Sequence, residues 1–242
     1  SHGELWQPWV DQYKGKYSIY VMTAPGFGGV KAVKGDSSFF QARVDEIAET
    51  LKSNNIKSAY FVGHSIGGLM SLMVSEKYPD LVSRVLVVDS LPFMAGLFAP
   101  NIQPEQAVAQ AGFLKQQMSA MSREAFLAQQ KQGAGILSKT STFIPTLHRW
   151  AETSDQTTII DAYSEVLATD FRLNLANVKA KTTVLAAYAP QMPVTRMQIE
   201  ALYNNQYKML QGVEVRLVDD SFHFIMIDQK EVFGEQLDEF LK

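Results

Sequence analysis

The stretch Tyr60-Phe61-Val62-Gly63-His64-Ser65-Ile66-Gly67-Gly68-Leu69-Met70 constrains this chain more than any other. Three apolar residues lead into Gly63, and an apolar run from Leu69 to Val74 continues at helical spacing as far as Tyr78-Pro79. The pattern predicts a buried strand, a sharp reversal and a helix. A reversal this tight places Ser65 in a strained backbone conformation. The glycines two positions before and two after it are expected to keep the strand and helix backbones from colliding. Its hydroxyl is thereby set at the carboxyl end of a sheet strand, above a helix N-terminus.

The rest of the chain alternates strand and helix around that turn. Leu5, Trp6, Trp9 and Val10 form a short amphipathic segment, and Tyr17 to Met22 reads as a strand running into the loop Ala24-Pro25-Gly26-Phe27-Gly28-Gly29. The loop has neither G-x-x-x-x-G-K-[ST] nor a correctly spaced G-x-G-x-x-G, so it reads as a tight crossover turn beside a pocket and not as a phosphate cradle. Asp36 or Ser37 is expected to cap a helix whose apolar face is Phe40, Val44, Ile47, Ala48 and Leu51. Ser58 to Val62 is the next strand. Arg84 to Asp89 is a near-continuous apolar run of the kind buried on both faces of a parallel sheet. Further strands are expected at 182–187 and 213–218, with helices at 195–210 and 229–241. Together these predict an α/β fold with a doubly wound, mostly parallel sheet.

From 91 to 178 the rhythm breaks, and helices are expected instead at 104–121, 123–131, 146–153 and 156–169. The reading is a core formed by 1–90 and 179–242, with an all-helical lid, 91–178, inserted after the strand ending at Asp89. Phe27 from the glycine loop, with Phe93, Met94 and Met118 from the insertion, are candidates to line an apolar substrate cavity. Most of the lid's Met and Phe residues are expected to form the lid's own core.

Composition narrows the partners. A net charge of -3, from 22 basic and 25 acidic residues with no cluster of Lys and Arg, argues against nucleic acid and anionic membrane surfaces. No apolar run approaches the roughly 18 residues that span a bilayer. The absence of cysteine excludes disulfides, thiolate metal sites and a cysteine nucleophile, and leaves the redox compartment open. Ser1-His2-Gly3 reads as a cloning scar or the cut end of a precursor, which fits a soluble protein in the cytoplasm or one exported after loss of a signal peptide. Metal and dinucleotide motifs are missing from the sequence, so no cofactor is expected; a small-molecule substrate is. Nothing in the pattern selects an oligomeric state.

A serine hydroxyl is a poor nucleophile at neutral pH and needs a base within hydrogen-bond reach. Four histidines are available. His2 lies at a terminus, His64 neighbours the serine and is expected to point down the other side of the turn, and His148 falls in the insertion. His223 alone follows a predicted sheet strand, in a loop at the carboxyl edge where Ser65 also emerges. Position and elimination favour His223.

With G-H-S-I-G at 63–67, V-V-D-S at 87–90 and His223-Phe224 before the closing helix, the whole chain resembles the α/β-hydrolase family, in its lid-bearing class of serine esterases and related hydrolases. The resemblance implies that Ser65 attacks a carbonyl, His223 takes its proton, and the backbone N–H of Ile66 donates one oxyanion hydrogen bond. Two departures stand out. Most members carry the acid after the strand preceding the last one, where this chain reads Ala187-Tyr188-Ala189-Pro190-Gln191-Met192-Pro193 without a carboxylate. Some members use the end of the strand after the elbow helix, which implies Asp89; Asp219 and Asp220, near His223 in sequence, are local alternatives. Related chains also place a strand and a His-Gly or glycine-rich oxyanion loop before the segment matching Glu4 to Val10. Here His2-Gly3 echoes that loop with no strand ahead of it, and Pro25 to Gly28 is the nearest substitute for the second donor.

The resulting expectation is a serine hydrolase that cleaves an ester, or a related acyl bond, of a small to medium apolar substrate. The alternative is a catalytically weak scaffold of the same fold that binds a ligand or partner.

Overall fold

Among the described residues, four parallel strands form the frame on which the other elements are hung. The computed structural model describes residues 2–33 and 38–242. A 3-10 turn (Gly3–Trp6) leads into α1 (Gln7–Tyr13), followed by α2 (Phe39–Ser53), β1 (Ala59–His64), α3 (Ile66–Lys77) and β2 (Val82–Val88). Five helices come next: α4 (Ala95–Phe98), α5 (Pro104–Ser119), α6 (Arg123–Gly133), α7 (Ile144–Thr153) and α8 (Gln156–Ala168). The sheet then resumes with β3 (Lys181–Tyr188), α9 (Arg196–Tyr207), β4 (Glu214–Asp219), α10 (Ile225–Asp228) and α11 (Lys230–Phe240). The strands lie in the order β1-β2-β3-β4 and every neighbouring pair is parallel.

Successive strand residues face opposite sides of a sheet, and the core divides accordingly. Val85 and Val87 pack with Phe40 and Val44 of α2, Leu69 and Leu72 of α3, and Tyr203 and Tyr207 of α9. Leu86 and Val88 pack on the other face with Leu5 and Trp9 near the N-terminus and Phe233 and Leu237 of α11. Helices therefore cover both faces, as the apolar runs of β2 and β3 require. Leu5 and Trp9 fill the amphipathic role expected of their segment.

Tyr17 to Met22 departs from expectation. The segment is extended, but it belongs to no strand, and Tyr20 and Met22 remain 54% and 46% exposed. β-propensity describes side chains suited to a pleated surface, whereas a strand exists only where its backbone groups find a ladder partner. No strand among the described residues pairs with this one. Asp36 and Ser37, expected to cap α2, lie outside the described residues; Ser38 occupies the N-cap, its Oγ accepting from the Gln41 N–H. β2 ends at Val88 and not at Asp89, because Asp89 turns to φ 46°.

The turn between β1 and α3 shows which glycine is sterically required. A Cβ on Gly63 would lie 2.3 Å from the Gly67 carbonyl oxygen and 2.7 Å from the Gly68 nitrogen, and one on Gly68 would lie 2.9 Å from the Ser90 Cβ. Gly67, the second glycine of the motif, has open space around its Cβ position. The crossing is thus relieved by Gly63 and Gly68. Gly63→Ala is expected to lower stability by several kcal/mol, since backbone must move, whereas Gly67→Ala should stay within about 1 kcal/mol of the parent. Denaturant midpoints of the two variants check this directly.

Candidate active site

The register of β1 against β2 sets His64 beside Val88, so Ser65 and Asp89 leave neighbouring strand ends together. The Ser65 N–H donates to the Val88 carbonyl at 2.9 Å, and Ser65 itself sits at φ 56°, ψ -128°. That is the strain expected of a serine on a strand-to-helix reversal. Ile66 begins α3, where an N–H has no intrahelical acceptor.

Asp89 is held on all sides. Its N–H donates to the Leu185 carbonyl at 2.8 Å. Its Oδ1 accepts from the Ala187 N–H and from the Tyr203 hydroxyl, both at 2.9 Å. Its Oδ2 lies 2.7 Å from His223 Nδ1. The carboxylate can only accept, so Nδ1 carries the proton and Nε2 presents its lone pair. The two side chains are 14% and 22% exposed, which strengthens a charge-assisted contact without sealing it from solvent.

The loop bearing His223 is tied down on three sides. The Ser221 N–H donates to the Tyr188 carbonyl, the Phe222 N–H to Asp228 Oδ2, and the Phe224 N–H to the Leu137 carbonyl. Asp228 also accepts from Ser138 Oγ at 2.6 Å, linking the loop to the helical insertion. The nearby carboxylates are used elsewhere: Asp219 pairs with Arg196 and Asp220 with Lys139. Asp89, 134 positions upstream of His223, is the ring's partner.

His64 is not remote from this arrangement. It is buried, its Nε2 lies 2.9 Å from the His223 carbonyl oxygen, and its ring centroid is 4.4 Å from that of His223. Its Nε2 must therefore be the protonated nitrogen. Burial, then the neighbouring His223 charge, hold its pKa well below the usual value. A depressed folded-state pKa contributes stability that is full above the unfolded value of about 6.5 and is lost as pH falls toward the folded one. The denaturant midpoint should accordingly drop between pH 7.5 and 5, and should drop less in His64→Gln, which keeps a donor but cannot titrate.

The glycine loop takes a structural role. The N–H groups of Gly26, Phe27, Gly28 and Gly29 donate to Val30 O, Ala24 O, Ser154 Oγ and Thr153 O. All four are thus engaged, and the loop supplies no free donor from these positions. His2-Gly3 is held in place: His2 Nε2 contacts the Gly28 carbonyl at 3.1 Å, its ring stacks on Trp150, and the Gly3 N–H donates to Thr23 Oγ1. His148 is half-buried in α7 and lies outside these contacts.

The four pocket candidates lie in different packing environments. Phe27 is half-buried edge-on to Phe39, and Met94 packs partly buried against the main core. Phe93 is buried with Ala95, Ile102 and Ala107, and Met118 with Phe126 and Ile160. Phe93 and Met118 are spent on separate small cores, leaving Phe27 and Met94 with accessible surface. A cavity of about 520 Å³ opens between α2, α5 and α8, but charged side chains such as Arg43, Lys115, Asp161 and Glu165 line it and Ser65 does not. Among the described residues no group of three or more His, Cys, Asp or Glu is placed to hold a metal ion, and no helix is long and apolar enough to cross a membrane.

Tyr203 escaped the sequence reading, and so did the contact of His64 with the His223 loop. A tyrosine at helical spacing with Tyr207 carries no signal beyond core packing, and a histidine beside the serine gives no sign of the loop it will meet.

Residues 1–235 match the model of the Alpha/beta hydrolase family. The chain belongs to that family. This alpha/beta hydrolase is an enzyme, and its relatives are hydrolases. It is 24% identical over 186 residues to a putative carbamate hydrolase RutD of Serratia proteamaculans, covering 76% of this chain and 68% of the relative. It is 29% identical over 134 residues to a pimeloyl-[acyl-carrier protein] methyl ester esterase of Vibrio vulnificus, covering 55% of this chain and half (50%) of the relative's length. The crystal structure of a hydrolase from Pseudomonas aeruginosa PA01 superposes with a TM-score of 0.79 at 15% identity, covering 100% of this chain and 86% of that one, a likeness of fold.

Proposed function

We propose that this alpha/beta hydrolase cleaves an ester, or a related acyl bond, of a small to medium apolar substrate through an acyl-enzyme on Ser65. The 2.7 Å contact between His223 Nδ1 and Asp89 Oδ2, at the sheet edge where Ser65 emerges, carries this reading. Ser65 Oγ attacks the carbonyl carbon while His223 Nε2 takes its proton, and the Ile66 N–H donates to the developing oxyanion. The tetrahedral adduct collapses as His223 returns the proton to the leaving oxygen. Water, deprotonated by the same nitrogen, then releases the acid and restores the serine. Asp89 fixes the imidazole tautomer and offsets the imidazolium charge. Residues 91–178 act as a lid over this edge, with Phe27 and Met94 touching the acyl group. The activities named for the two relatives, a methyl ester esterase and a putative carbamate hydrolase, both concern acyl bonds to oxygen or nitrogen.

The test is covalent labelling of the intact protein by a fluorophosphonate, followed by hydrolysis of a panel of esters of increasing acyl length. Labelling at Ser65 with turnover of the shorter apolar esters is expected. A protein that neither labels nor turns over any ester would instead favour the scaffold reading.

A further inference from the structure

We infer that Tyr203 is a positioning residue for the acid of this site, and so tunes the basicity of His223. The inference rests on the triad proposed above and concerns a residue that touches neither substrate nor serine. Asp89 stands in a left-handed turn at φ 46°, a conformation Asp reaches more readily than most residues but still at some strain. Two tyrosines one helical turn apart on α9 hold it there. The Tyr203 hydroxyl donates to Asp89 Oδ1 at 2.9 Å, and the Tyr207 hydroxyl donates to the Ser90 carbonyl at 2.7 Å. Their rings stack with centroids 6.3 Å apart and 11° between planes, and both side chains are buried.

The chemistry follows from which oxygen is taken. Oδ2 faces His223, so the donors on Oδ1 decide how much negative charge is left for the imidazole and how the carboxylate plane is turned. Ala187 supplies one donor from the backbone, which a side-chain substitution leaves in place. Tyr203 supplies the other. Burial, then the Asp89 charge, raise the phenol well above its usual range, so it stays a neutral donor at any working pH. The groups facing His223 and Asp89 are otherwise His64, neutral beneath the base, and Tyr207.

Removing the hydroxyl concentrates charge on Asp89. The carboxylate then holds the Nδ1 proton more tightly and the imidazolium is favoured. Tyr203→Phe keeps the ring and its packing but leaves the carboxylate free to turn out of line with Nδ1, and is expected to lower kcat on the order of tenfold with little change in KM. The acid limb of the pH–rate profile should move to higher pH, and the downfield Nδ1 proton resonance of His223 should shift. In an Asp89→Asn background the same substitution should have little further effect on kcat, since its route is through the carboxylate.

If Tyr203→Phe merely lowers the melting temperature, leaving kcat, the acid limb and the resonance where they were, the tyrosine is only packing and the inference fails. If the parent itself resists the fluorophosphonate, the proposed reaction fails instead. The resonance, which needs no turnover, still reports whether Tyr203 acts on the His223–Asp89 pair.

Discussion

Ser65→Ala is expected to abolish fluorophosphonate labelling and to reduce ester turnover by roughly a millionfold, the scale seen when a serine nucleophile is removed from a working triad. Intact mass after exposure to the probe and the residual initial rate check the two halves. The backbone offers a control that separates chemistry from folding. Ser65 sits at φ 56°, which Ala shares only at similar strain, whereas glycine adopts it freely. Ser65→Gly should be as inactive as Ser65→Ala yet about 1 kcal/mol more stable than it, within the strain range of such positions. A Ser65→Gly protein more stable than Ser65→Ala would show that the parent holds this position under strain. Retained labelling in either variant would place the nucleophile elsewhere.

Asp89→Asn is expected to lower turnover by about 10⁴ while leaving the fold intact. Asn tolerates the left-handed backbone of this position and keeps an oxygen for the Ala187 N–H and the Tyr203 hydroxyl. What changes is the face toward His223. An amide N–H₂ opposite Nδ1 forces the ring to accept there and to carry its proton on Nε2, which removes the lone pair that Ser65 needs. Circular dichroism should be unaltered and the denaturant midpoint close to the parent's, so the loss is read as a tautomer effect. Near-parental activity would remove Asp89 from the site, and Asp219 and Asp220 are already committed to Arg196 and Lys139.

The parts of this fold legible in the sequence are those whose cause is local. The β1–α3 turn announced itself through glycines and an apolar helix, and the runs of β2 and β3 through burial on both faces. His223 was reachable by elimination because the chain has only four histidines. The pairing of Asp89 with His223 lay one step further, since the family likeness offered the position but only folding brings the two side chains together. Other features depended on partners that no local pattern names. Tyr17 to Met22 has strand-like side chains and finds no ladder among the described residues. Gly67 fits the motif, yet the steric demand falls on Gly63 and Gly68. Phe93 and Met118 looked like cavity walls because apolar residues read the same in a pocket and in a small core.

The placement of Asp89 just past the end of β2 has a mechanical consequence. Serine and carboxylate ride on adjacent rails of one hydrogen-bonded frame, so their separation is nearly as fixed as the spacing of the strands themselves. Only the imidazole hangs from an outrigger, moored to the helical insertion through Asp228 and Ser138. Whatever disturbs that insertion is therefore felt as a tilt of one arm, His223, while Ser65 and Asp89 keep their station.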